Sequence, residues 1–168
     1  GSILGQTLAM EGIFAFFLES TFLYLLIFGE KKLGRTAHWI VSFLLLLGTW
    51  LSGYFIICTN AFLQHPVGYR IDEQGVYHLT SIWALLSNPW ALKQYLHTMT
   101  GSVITGSFTM SAIAAYHLLK GEHLEITRRY LAVAVIVGFL ASVIVVVPTG
   151  DWEAKQVQKH QPIKFSAM

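Results

Sequence analysis

Four long apolar stretches divide the chain, at about residues 4–28, 37–63, 92–119 and 127–147, with shorter polar segments between them. A bilayer core about 30 Å thick takes about 20 residues of helix to cross, and each stretch meets that length. Backbone N–H and C=O groups find no water in hydrocarbon, so runs of this kind must satisfy their own hydrogen bonds as helices. No alternation of apolar and polar positions competes with that reading. The pattern predicts an all-α integral membrane helical bundle with four transmembrane helices.

The connection at 64–91 is more than a linker. Its stretch Tyr77-His78-Leu79-Thr80-Ser81-Ile82-Trp83-Ala84-Leu85-Leu86 is apolar and aromatic yet too short to span, which predicts a short interfacial helix at about 77–87. Asn88-Pro89 then breaks the chain before the third span. Residues 1–147 thus form the transmembrane part, and 148–168 are expected to leave the membrane as the start of an external loop. Trp and Tyr at the run ends, such as Tyr95 and Tyr130, fit interfacial anchors.

Composition excludes a water-soluble fold: 54% of the 168 residues are hydrophobic and 12% charged, against roughly 25% charged in soluble domains. The eleven Lys and Arg sit in short clusters at the ends of apolar runs, so the net charge of +2 speaks for topology and not for nucleic-acid binding. Lys31, Lys32 and Arg35 place loop 29–36 in the cytoplasm, and Lys120, Arg128 and Arg129 do the same for loop 120–126. Loop 64–91, with Arg70 balanced by Asp72 and Glu73, is then external, as is the C-terminal tail. Lys155, Lys159 and Lys164 count against an external tail only if it is short, because long loops escape the charge rule. The single Cys58, inside an apolar run, excludes an intrachain disulfide and reads as a buried spectator. The chain opens without an initiator Met or a basic leader and ends in polar sequence, so it reads as a piece of a longer protein.

Within the spans, a few residues do not belong in lipid. Glu11 and Glu19 lie inside the first, where each carboxylate costs about 2.5–3.5 kcal/mol to insert. Eight residues of regular helix set them about 80° apart in rotation and about 12 Å apart along the axis. That is too far for a shared proton and suits successive stations on one side of a helix; the alternative is two protonated carboxyls bonded to neighbouring helices. Ser52, Thr59 and Asn60 add polar groups to the second span, where Ser and Thr commonly bond the backbone one turn back. In the third span Gly101, Ser102, Gly106 and Ser107 leave a groove that another helix or a flat ring can approach, and His97 overlooks it. A histidine there is either a hydrogen-bonded packing residue or an axial ligand of haem iron. The other six histidines lie near interfaces or in loops, and no pair has the i, i+4 spacing of a compact metal site.

These segments together resemble subunit I of the bd-type quinol oxidases of bacterial respiratory chains. The resemblance rests on Glu11-Gly12 with Phe16-Phe17-Leu18-Glu19-Ser20, Leu51-Ser52, Asn60, Gln64-His65-Pro66, Leu96-His97-Thr98, Gly101, Thr105-Gly106 and Leu118-Leu119-Lys120-Gly121. Gly150-Asp151 and Gln158-Lys159 with Lys164 carry it into the tail. The chain is similar to the third to sixth spans of that subunit.

The resemblance implies a terminal oxidase of the bacterial inner (plasma) membrane, a quinol:oxygen oxidoreductase that reduces oxygen to water and takes protons from the cytoplasm. Its cofactors would be a low-spin haem b, a high-spin haem b and haem d. It implies His97 as an axial ligand to the iron of the low-spin haem b, Glu11 beside the high-spin haems, and Glu19 with Ser52 along a proton route. Lys164 matches a quinol-binding position, so 148–168 would begin an external quinol-binding loop. The partners implied are the remainder of subunit I, the second oxidase subunit, membrane lipid, quinol and oxygen, and the segment alone would be inactive. The alternative is a non-enzymatic membrane proton channel or transporter segment, in which Glu11 and Glu19 are ion sites and His97 only packs.

Overall fold

The computed structural model describes residues 3–167. Four of its helical runs are long and apolar enough to cross a membrane: Leu8–Phe28, Glu30–Gln64, Pro89–Lys120 and Leu124–His160. The chain is an integral membrane protein of all-α type, with one two-stranded hairpin between the second and third spans. It divides into two compact units, Gly1–Leu92 and Lys93–Met168.

In the first unit, α1 (Ile3–Met10) passes through a π-helical segment, Glu11–Phe16, into α2 (Phe17–Phe28). α3 (Glu30–Gln64) follows almost at once, packed along α2. The expected loop 29–36 is therefore a tight turn: Gly34 leaves helical geometry at φ 70°, a backbone conformation open to glycine, and the helix runs on either side of it. His38 donates from Nε2 to the Leu26 carbonyl at 2.8 Å, satisfying an acceptor that the end of α2 leaves open. Gly48 sits where a Cβ would lie 3.9 Å from the Glu19 amide nitrogen, so the two helices approach closely at that level.

The interfacial helix expected at 77–87 begins later. Tyr77–Leu79 is a strand, β2, paired antiparallel with β1 (Tyr69–Ile71), and the helix is α4, Ile82–Leu86. The competing force is the turn between the strands. Asp72 Oδ1 accepts from the Gln74 and Val76 amides, both at 2.9 Å, while Oδ2 lies 2.6 Å from His78 Nε2. The His78 ring, then the Val76 amide, hold the Asp72 carboxyl below its ordinary range. Ser81 caps α4 by accepting from the Ala84 amide at 3.2 Å.

Leu85 and Phe62 form a buried apolar cluster with Leu79 and Ile82 against it. Tyr54 donates its hydroxyl to the Leu86 carbonyl, fixing the end of α4 to α3. Asn88, 1% exposed, is the N-cap of α5 (Pro89–Lys120): its Oδ1 accepts from the Trp90 amide at 3.0 Å, and its Nδ2 donates to the His65 carbonyl at 3.0 Å. Pro89 takes the first helical position, where a missing N–H costs nothing. The Asn-Pro pair thus starts the third span at 89, three residues before the apolar run.

In the second unit, α5 ends in a Schellman turn. The Glu122 amide donates to the His117 carbonyl at 3.0 Å and the Gly121 amide to the Leu118 carbonyl at 3.1 Å, with Gly121 at φ 74°. α6 (Leu124–Ile144) returns along α5, and Gly138 lets it close on Ser107: a Cβ there would lie 3.0 Å from Ser107 Cβ.

The expected loop after 147 is instead helical. α6 widens into a second π-helical segment, Val145–Thr149, and continues as α7 (Gly150–His160), followed by α8 (Pro162–Ser166). Pro148 removes one backbone donor and crowds the preceding turn. The wider turn absorbs both effects, so the helix does not stop. α7 has Lys159 and His160 in its last turn, the C-terminal end of the continuous run, as the helix dipole favours. Lys155 bonds Asp151 one turn away at 2.7 Å.

Candidate functional site

Two sets of polar groups stand out inside the spans, one in each unit. In the first unit, Glu11 opens the π-helical segment and is half-buried. The segment lies between Glu11 and Glu19, so the angular offset expected for regular helix does not hold, because a π turn rotates the chain less per residue. Glu19, also half-buried in α2, accepts from Thr49 Oγ1 at 3.3 Å. Thr49 also reaches the Leu45 carbonyl at 3.0 Å, so its single hydrogen is shared between a carboxylate and its own backbone. Ser52, half-buried, follows Thr49 by three residues and shares its side of α3. The residue that meets Glu19 is therefore Thr49, which the sequence reading passed over; its place beside Gly48, one turn before Ser52, was the available signal.

In the second unit, His97 stands in α5 and is half-buried. Its Nδ1 lies 3.2 Å from Oγ1 of Thr149, the last residue of the second π-helical segment and 4% exposed. Thr149 Oγ1 in turn lies 3.1 Å from the Ile144 carbonyl and 3.3 Å from that of Val145. Gly150, the next residue, approaches the same edge of the ring: a Cβ there would lie 3.8 Å from His97 Cε1 and 2.7 Å from the Val145 oxygen, so glycine lets the backbone pass here.

The chemistry of this donor set fits an iron ligand. Carbonyl oxygens only accept, so the shorter carbonyl contact takes the hydroxyl hydrogen. With the hydroxyl hydrogen on that carbonyl, Nδ1–H of His97 would donate to Thr149 Oγ1 and Nε2 would keep the lone pair that binds a metal.

Lys164 is exposed in the last turn of α8. Two of the four small residues of the expected groove, Gly106 and Ser107, each line a cavity, while Gly101, Ser102 and His97 line neither of the two. One of about 540 Å³, between α5 and α6, is bounded by Thr105, Gly106, Thr109, Met110, His117 and Tyr130 among others, and another of about 250 Å³ by Ser107, Ser111 and Gly138. Among the described residues, no three His, Cys, Asp or Glu side chains converge on one point.

Comparison with known proteins bears on what such an arrangement serves. The sequence profile of the family described as cytochrome bd terminal oxidase subunit I matches residues 1–168. The chain is 36% identical over 169 residues to the cytochrome bd-II ubiquinol oxidase subunit 1 of Escherichia coli (strain K12), covering 100% of this chain and 33% of that protein. It is 34% identical over 171 residues to the cytochrome bd ubiquinol oxidase subunit 1 of Bacillus subtilis (strain 168), covering 99% of this chain and 35% of that one. A putative cytochrome bd menaquinol oxidase subunit I of the same Bacillus strain is 25% identical over 170 residues, with coverage of 99% and 38%. The chain spans about a third of the length of these curated relatives.

Proposed function

The chain belongs to the cytochrome bd terminal oxidase subunit I family, and from that premise we propose that it forms part of the redox core of a respiratory quinol oxidase. In this reading the complete enzyme oxidises quinol, reduces oxygen to water and draws protons from the cytoplasm. It sits in the bacterial inner membrane with a second subunit.

His97 holds the iron of the low-spin haem b through Nε2, and the observation that carries this is its Nδ1 contact with Thr149 at 3.2 Å. The haem supplies one-electron transfer when bound. The chain's own residues would fix the ring that ligates it, Thr149 at Nδ1 and Gly150 leaving room beside Cε1. Glu11 would lie beside the high-spin haem pair, as a ligand or a proton donor, and Glu19 would carry protons from the cytoplasmic side, with Thr49 and Ser52 extending the polar path along α3. Lys164 contributes to quinol binding. The lysine and arginine clusters support cytoplasmic turns at 29–36 and 120–126, with 64–91 and the tail outside.

A proton channel or transporter would use Glu11 and Glu19 in much the same way but has no need of a histidine held in one tautomer. A reduced-minus-oxidised absorption spectrum of the full-length complex separates the two. The oxidase reading expects b-type bands, with the low-spin component lost in His97→Ala. Full retention of that component in the variant would remove His97 from the haem.

A further inference from the structure

We propose that Thr149 is a positioning residue for the low-spin haem, selecting the His97 tautomer that exposes the Nε2 lone pair and tuning the haem's potential through the Nδ1 bond. The inference rests on the reading of His97 as the axial ligand.

Its basis is the local chemistry of the second π-helical segment. A threonine in a membrane helix ordinarily turns its hydroxyl back on the carbonyl four residues earlier and ends there. Thr149 Oγ1 lies 3.3 Å from that carbonyl, of Val145, but nearer, at 3.1 Å, to the Ile144 carbonyl, and it also reaches a histidine fifty-two residues earlier in the chain. The π turn shifts Thr149 in register relative to a regular helix, and Pro148 immediately before it cannot donate to Ile144. The Ile144 carbonyl, which the π turn bonds to the Thr149 amide, keeps a second lone pair for the hydroxyl, and accepting that hydrogen turns the hydroxyl oxygen toward the ring as an acceptor. At 4% exposure, Thr149 is shielded from competing water.

A bond of this kind fixes ring orientation and raises the basicity of the ligating nitrogen. A more basic axial ligand favours ferric over ferrous iron, so hydrogen bonding near the ligand is one of the protein's controls on haem potential.

The test uses the full-length, haem-loaded complex and a redox titration of its low-spin b band, with Thr149→Val and Thr149→Ser. Valine keeps the shape and removes the hydroxyl, so the midpoint should rise, by up to about 59 mV, the one-electron equivalent of a tenfold change in the reduced-to-oxidised ratio. Serine keeps the hydroxyl and should restore the wild-type midpoint. A valine variant with unchanged midpoint and spectrum overturns the proposal, as does a serine variant that behaves like valine. If valine loses the haem, serine decides: a retained haem at the wild-type midpoint supports the hydroxyl's role, and loss in both variants overturns it. His97→Ala measured alongside reports separately on the ligand reading, because retention of the low-spin bands there would defeat that reading whatever Thr149 does.

Discussion

Thr49 Oγ1 lies 3.3 Å from Glu19 Oε1, joining α3 to α2 at the level where Gly48 brings the two backbones together. The contact gives an intramembrane carboxylate a neutral hydroxyl partner, which can pass a proton on without adding charge to the apolar layer.

Replacing the carboxylate therefore separates structure from transport. In the full-length enzyme, Glu19→Gln should keep the haems and slow oxygen uptake at least tenfold, since general acid–base groups contribute about 10²–10⁴-fold where proton transfer limits the rate. Thr49→Val should slow it less, because the carboxylate itself remains and the Thr49 hydroxyl is only partly engaged with it. Oxygen-electrode rates normalised to haem content check both, and an unchanged rate in Glu19→Gln would remove that residue from the proton route.

The hairpin of β1 and β2 should lose stability in acid. The Asp72 carboxyl titrates below its ordinary value of 3.8, so the ionised form is favoured by folding. Its contribution is fully present above that ordinary value and is lost as pH falls through the lowered one. Hairpin cross-peaks between Tyr69 and Leu79 in NMR spectra should weaken below about pH 3.8 in the wild type. Asp72→Asn should show a flat response over that range.

Asn88 serves two backbone groups at once, capping α5 at Trp90 and bonding the His65 carbonyl. Asn88→Ala should cost about 1–2 kcal/mol, the upper half of the range for a lost N-cap, because the His65 acceptor also loses its donor. Thermal unfolding of the detergent-solubilised complex, followed by circular dichroism, would show the loss as a lower midpoint.

Gly138→Val should cost about 1–3 kcal/mol, since even a Cβ at this position meets Ser107 at 3.0 Å and the extra methyl groups find less room. Gly138→Ala should cost less, and pairing it with Ser107→Gly should recover most of the loss. A double-mutant cycle on thermal midpoints measures that recovery.

The four spans were legible in the sequence because run length and apolarity are one-dimensional properties that the bilayer reads directly. The hairpin was less so. Tyr77-His78-Leu79 is apolar enough to suggest helix, and what makes it a strand is the Asp72 side chain holding the Gln74 and Val76 amides in a turn that pairs it with Tyr69–Ile71. The segment after 147 reads as loop because the apolar run ends there and polar sequence follows; the π turn that carries the helix onward is a packing compromise with no residue code of its own. At the sites, Glu11, Glu19 and His97 stood out because their chemistry is costly in lipid. Thr49 and Thr149 did not, because a membrane threonine satisfies itself on its own helix, and only the fold shows which of them also meets a partner 30 or 52 residues away.

The run from Leu124 to His160 holds 37 residues, about 55 Å of helix at 1.5 Å per residue. A hydrocarbon layer about 30 Å thick takes up little more than half of that. The remainder is more helix than a bilayer needs, and it ends at His160, just before the short helix that carries Lys164. The same run carries Thr149, next to the His97 ring, so one unbroken helix connects that contact to the segment leading to Lys164.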